Sequence, residues 1–282
     1  MFQDSLLHPR PAWLPAAFGV LARHRFVTAP QLAARLHVDP AEVVLTLDAL
    51  VGEGLLQAVS PSQNLRGDPV PRAYLLTRTG SDLYATTTGE DRPTVVDPRR
   101  SLGMLEHELA IVTMALVLER LTDQGVLHLL RFETARAKIA DVTHVAQDGR
   151  PRRIPLVADA LAVVEVAGEV RALLIEIDRG TVPVERMATK YLGYVSWQRM
   201  NGPFRRFGIK NFRVLTVAPN RTRLERLREI ATDRGGSSRF LWFVDASEVA
   251  VDDPKRLLGL VWSVAGHDPS LRLQLFERAP LS

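Results

Sequence analysis

The chain has 282 residues, 46% of them hydrophobic and 24% charged, with a net charge of +4; this is enough apolar material for two ordinary globular domains and excludes an intrinsically disordered polymer. It has no cysteine, which excludes disulfides and thiolate zinc sites. No apolar run nears the ~18 residues that a membrane span needs, and MFQDSLLHPRPAW lacks the charged head and long apolar run of a secretory leader, so the expectation is a cytoplasmic protein with no membrane segment.

Apolar spacing predicts a first helix over Leu14–His24, then a short turn at Phe26-Val27-Thr28. Thr28 or Pro30 opens a second helix that runs to Leu36. Asp39 is suited to cap a third helix and Pro40 to its first turn. Val43, Val44, Leu47, Leu50 and Val51 form the apolar stripe of that helix, and Gly52 and Gly54 end it. Leu55–Val59 and Arg72–Thr77 read as strands on either side of a turn-rich tip at 60–71, and Thr79 or Ser81 begins another helix. Three helices, a two-stranded wing and a further helix are the order of a winged helix-turn-helix. The domain division is expected as a winged domain at 1–90, a linker at 91–100 within the polar stretch TTTGEDRPTVVDPRR, and a second domain at 101–282.

That second domain opens with a predicted helix over Leu102–Leu121. A hairpin follows at about Leu156–Asp178, then a helix at about Val184–Met200, a strand at 212–218 and a helix at about 221–232. FLWFVD at 240–245 reads as a strand, about 254–262 as a last helix and LRLQLF at 271–276 as a final strand. Interleaved strands and helices predict a mixed α/β layer fold.

The hairpin carries the chemistry. Ala172–Ile177 is an apolar run of the kind found in central strands, yet Glu176 and Asp178 stand at its end. Two residues apart, they share one face of the strand. A two-residue turn at Ala167-Gly168 sets Asp159 opposite Glu176; a turn at Gly168-Glu169 sets it opposite Asp178. Either register gathers three carboxylates, whereas a three-residue turn sends Asp159 to the other face. Such a cluster calls for a cation, and oxygen ligands suit Mg²⁺ or Mn²⁺. Lys190 on the following helix is the candidate basic partner, with Arg179 and Arg186 as alternatives. The competing reading is a structural rim in which Arg179 and Arg186 neutralise the acids.

The candidate nucleic-acid contacts are uneven. The third helix of a winged helix usually enters the major groove, but residues 38–53 hold no Lys or Arg; Thr46 is their one uncharged polar side chain among Asp39, Glu42, Asp48 and Glu53. Arg66, Arg72 and Arg78 near the wing offer an alternative contact, and dimerisation through the winged helix is another. Arg205, Arg206 and Lys210, interleaved with Phe204, Phe207 and Phe212, form a second basic stretch suited to a phosphate backbone. No phosphate-binding glycine loop is present, so no nucleotide cofactor is expected.

Arg72-Ala-Tyr-Leu-Leu-Thr-Arg-Thr-Gly80, Leu105-Glu-His107-Glu-Leu-Ala-Ile, Ala158-Asp159-Ala-Leu and Leu174-Ile-Glu176-Ile-Asp178-Arg-Gly-Thr181, followed by Lys190-Tyr191 and Tyr194, resemble the replication-relaxation family of bacterial plasmid and mobile-element proteins. The resemblance implies a winged helix joined to a restriction-endonuclease-like α/β/α domain of PD-(D/E)XK type, and a role in DNA replication or relaxation. It assigns Asp159 and Glu176 to the two acidic positions and implies that Lys190 has migrated onto a helix. Glu106 and His107 would join this catalytic set from the first helix of the domain, although a buried, hydrogen-bonded histidine is the plainer reading. Two departures stand out. Ala158 replaces the motif's proline and Asp178 its lysine, so the alternative is a degenerate, non-cleaving fold in a DNA-binding regulatory factor.

Overall fold

The computed structural model describes residues 10–60, 72–95, 104–134, 138–145, 150–235 and 239–276. The chain divides into two compact units, residues 1–116 and 117–282.

In the first unit, α1 (Leu14–Arg23), β1 (Val27–Thr28), α2 (Ala29–Leu36), α3 (Pro40–Gly52), β2 (Leu56–Val59), β3 (Ala73–Leu76) and α4 (Arg78–Thr88) follow the order expected of a winged helix. The three strands form an antiparallel sheet in the order β1-β3-β2. Helix starts are set by local chemistry. Thr28 and Gln31 make a reciprocal capping box on α2, and the Asp39 carboxylate accepts the Ala41 N–H at 2.9 Å to cap α3. The fourth helix starts earlier than expected, at Arg78, because Thr77 caps it by accepting the Gly80 N–H at 3.1 Å. Gly80 also lets α4 approach β2's lead-in, since a Cβ there would lie 2.1 Å from the Leu55 carbonyl oxygen.

The division between units falls inside α5 (Leu105–Asp123) rather than in the 91–100 stretch. The first turns of α5 pack with the other elements of the first unit: Leu105 and Leu109 share a core with Phe26, Val59, Ala73 and Leu75. The Gln31 side-chain amide donates to the Leu109 carbonyl and to Thr113, each at 2.9 Å.

The second unit is mixed α/β. Its six-stranded sheet has the order β11-β10-β9-β8-β7-β4, built from β4 (His128–Thr134), β7 (Ala160–Val166), β8 (Glu169–Ile177), β9 (Phe212–Ala218), β10 (Leu241–Asp245) and β11 (Ser263–Val264). β4, β7 and β8 are antiparallel, and α6 (Val184–Arg199) carries the chain across to β9, which lies parallel to β8. Interleaved strands and helices of this kind are the mixed α/β layer fold that the sequence predicted. α8 (Arg221–Gly235) follows β9, and residues of α6 and α8 close one core with β8, β9 and β10. Leu173, Leu174 and Ile175 on β8 are fully buried, each stabilising the fold by about 1.5–3 kcal/mol.

Several elements differ from expectation. The hairpin begins at Ala160, and the preceding residues instead form a separate two-stranded ribbon, β5 (Lys138–Val145) with β6 (Pro151–Val157). A short α7 (Gly202–Phe207) follows α6. The expected helix at 254–262 is a 3-10 helix at Pro254–Leu258 ended by Gly259, and the expected strand at 271–276 reduces to one bridge, Leu273 with Trp262. There Leu275 and Phe276 are buried as irregular chain. Among the described residues no helix is long and apolar enough to cross a membrane.

Candidate functional site

The register of the acidic hairpin follows from its turn. Ala167 and Gly168 adopt positive φ of 51° and 77°, the conformation of a two-residue hairpin turn. β7 and β8 then pair from Val166 with Glu169 to Ala160 with Ile175. One step further sets Asp159 across from Glu176, the first of the two expected registers. The Asp159 N–H donates to the Ile175 carbonyl at 3.0 Å, and its carboxylate accepts the Ile177 N–H at 2.8 Å. The Asp159 side chain thus caps the ladder where β7 begins.

Glu176 is 1% exposed. A buried carboxylate needs partners on both oxygens, and α6 supplies them from one face: Lys190 pairs with Oε2, and the Tyr194 hydroxyl donates to Oε1. Lys190 and Tyr194 are four residues apart, hence neighbours on the helix surface. The Lys190 side chain keeps 24% exposure, so the ammonium links the buried acid to solvent. Burial pushes the Glu176 carboxyl up to about 7; Lys190 and Tyr194 oppose that rise, and the like charge of Asp159 adds to it. Burial also raises the Tyr191 and Tyr194 phenols, which therefore stay neutral hydrogen-bonding groups. Tyr191 and Thr216 share a hydrogen bond at 3.2 Å beneath the pair.

Asp178 goes elsewhere. Its N–H continues the ladder to Val217 O at 2.9 Å, but its fully buried carboxylate is gripped by Arg223 of α8, Nε to Oδ2 at 2.7 Å and Nη2 to Oδ1 at 3.2 Å. Arg223 also donates to the Val182 carbonyl at 2.6 Å, pinning the loop that leads into α6. The expected three-carboxylate cluster is therefore corrected: among the described residues no three Asp, Glu or His side chains are grouped to hold a metal ion. The physical reason is that a guanidinium already neutralises Asp178 bidentately. The oxygen donors left for a divalent cation are Asp159 and Glu176. A divalent cation there would share Glu176 with Lys190 and Tyr194 and Asp159 with the Ile177 N–H; one or two carboxylates completed by water and phosphate oxygens are the usual set for Mg²⁺.

The other candidates are more scattered. Glu106 and His107 lie half-buried in the first turn of α5, within the first unit. Thr46 is half-buried on α3. Arg72 pairs with Asp48 at 2.8 Å and stacks over Tyr74 at 5.4 Å, so it offsets the acidity of α3. Arg10 does the same for Glu53, and the Trp13 indole N–H donates to Glu42. Arg78 is exposed at the start of α4, and Arg66 lies outside the described residues. Arg205, Arg206 and Lys210 are exposed on and just after α7, with Lys210 over Phe204 and Arg206 over Phe207, both at 5.9 Å. Phe204 is itself 42% exposed, whereas Phe207 and Phe212 pack on Trp197. Sequence reasoning missed Arg223 and gave Tyr194 no role beyond its place in the family resemblance; the lysine-to-tyrosine spacing of four was the available signal for the latter.

A family model described as Replication-relaxation matches residues 18–209. No curated protein matches the chain. Among solved structures it is similar to the restriction endonuclease FokI, at 9% identity and a TM-score of 0.30, over 86% of this chain and 44% of that one. The chain thus spans less than half the length of that enzyme.

Proposed function

The chain belongs to the replication-relaxation family, and we propose that it is a DNA-processing protein whose second unit hydrolyses a phosphodiester with Asp159, Glu176 and Lys190, in plasmid or mobile-element replication or relaxation. One observation carries this reading: Lys190 reaches from α6 to the Glu176 carboxylate while Asp159 stands across the hairpin from it. Two acids and a lysine meet although Asp178 occupies the position expected for lysine. Asp159 and Glu176 would hold Mg²⁺ or Mn²⁺, which when bound supplies charge for the phosphate and acidifies a water. Lys190, partly exposed, donates to a phosphate oxygen or orients the attacking water. Tyr194 holds the other Glu176 oxygen in place. The winged helix and the Arg205, Arg206, Lys210 stretch would position the duplex.

The test is nicking of supercoiled plasmid with Mg²⁺ or Mn²⁺ by wild type, Asp159→Ala and Glu176→Ala. Loss in both variants supports the site; equal activity in all three removes it.

A second reading has its own support. Both Glu176 oxygens are engaged within the chain, and Asp178 is locked to Arg223. A non-catalytic DNA-binding replication or regulatory factor would need no more than this. Salt-sensitive duplex binding without cleavage, and no divalent-ion heat that depends on Asp159 in calorimetry, would favour it.

A further inference from the structure

We propose that the β5–β6 ribbon is a grip for the DNA backbone beside the carboxylate–lysine site; the proposal rests on reading that site as DNA-processing. The ribbon is no part of the six-stranded sheet. It leaves the chain between β4 and β7, which are direct neighbours in that sheet, and its second strand ends at Val157, two residues before Asp159.

One face of the ribbon is fixed. Val142, Ile154 and Leu156 are buried in the same core as Tyr191 and Tyr194. Gly193, between those tyrosines, makes the contact possible: a Cβ there would lie 2.6 Å from Leu156 Cδ2 and 2.9 Å from Ile154 Cγ2. The ribbon therefore leans on the helix that grips Glu176, and its position is tied to that of Lys190.

Its other end is cationic. Arg150, Arg152 and Arg153 are exposed, and residues 142–157 carry these three arginines against one acid, Asp148. Arg153 and Pro155 alternate outward against inward Ile154 and Leu156. Arg152 shares the inward parity but is exposed, so it lies past the packed stretch. Among the described residues β6 pairs with β5 alone, and Pro151 and Pro155 cannot donate a ladder hydrogen bond. The free edge is thereby poorly suited to adding a peptide strand. What it offers is guanidinium forks, which match phosphate oxygens bidentately, on a ribbon of a size that a DNA groove admits.

The experiment measures the anisotropy of a labelled duplex across a KCl series, in EDTA so that cleavage plays no part. Arg150→Gln, Arg152→Gln and Arg153→Gln combined should flatten the slope of log affinity against log salt by about 2–3, since each phosphate contact contributes about 0.9. A control of equal charge loss, Arg226→Gln, Arg234→Gln and Arg239→Gln, should change it by less than about 1. Thermal melting of each triple variant checks the fold. Unchanged slope in the ribbon variant, equal flattening in both triples, absence of wild-type binding, or equal competition by polyglutamate at matched charge would each overturn the grip. Flattening confined to the ribbon variant in a chain that never cleaves would sink the nuclease reading and leave the grip standing.

Discussion

Glu176 and Asp178 sit two residues apart at the end of one strand, both buried, and the protein treats them in opposite ways. Asp178 meets a guanidinium that stays charged at any ordinary pH and engages both oxygens, so its pair is a fixed tie between β8, the following loop and α8. Glu176 meets an ammonium that reaches solvent, a neutral phenol and, across the hairpin, another acid. Its carboxyl is held near 7, within reach of a proton or a cation. Burial alone does not mark a chemical group; the kind of counter-charge does.

If that contrast is right, the largest effect falls on the Glu176 side and on activity. Lys190→Ala should lower nicking by about 10²–10⁴-fold, the range for loss of a positioned proton-transfer group. Arg223→Ala should leave single-turnover nicking by the folded fraction within about tenfold. Its cost falls on stability, about 3–5 kcal/mol in a urea titration, because it strands a buried carboxylate. Asp178→Asn in the Arg223→Ala background should restore part of that loss, and a double-mutant cycle reads the coupling. Matching activity losses in the Lys190 and Arg223 variants would erase the distinction.

The pH dependence of stability sharpens it. The folded-state carboxyl of Glu176 lies near 7 against an ordinary value of 4.5, so between those values the folded chain binds more protons than the unfolded one. Its contribution is full below pH 4.5 and is lost as pH rises through 7. Compared with Glu176→Gln in EDTA, wild type should lose on the order of 2 kcal/mol between pH 5 and 8. A parallel pair of stability curves would remove the perturbed acid from the argument.

The Glu176 half of this arrangement was legible in the sequence and the Asp178 half was not. Either two-residue turn offered by the sequence keeps Asp159 on the Glu176 face, the structure taking Ala167-Gly168, and Lys190 follows Glu176 closely enough for one strand-to-helix step to bring them together. Arg223 lies 45 residues beyond Asp178; the pairing exists because β9 runs parallel to β8 and returns the chain to the same sheet end before α8 starts. Local pattern carries no trace of that crossover. β4 and the ribbon escaped for a different reason. The side chains of β4 are nowhere fully buried, and β6, PRRIPLV, opens with proline and two arginines, so neither shows clean alternation of apolar and polar residues. The helices of the first unit were the most legible because Thr28, Asp39 and Gly52 punctuate them locally.

The smallest expected effect is the most discriminating. Tyr194→Phe removes one neutral hydrogen bond to Glu176, worth about 1 kcal/mol, and leaves Lys190 in place. That hydrogen bond favours the charged carboxylate, so its loss should move the Glu176 carboxyl further up. The acid limb of the nicking profile should then shift to higher pH while the rate on its plateau stays within a few-fold of wild type. A purely structural tyrosine would lower stability and leave the limb where it was. A lowered plateau with no shift would mean that Tyr194 touches the reacting groups itself, and the division of labour on α6, with Lys190 acting and Tyr194 holding, would have to be redrawn.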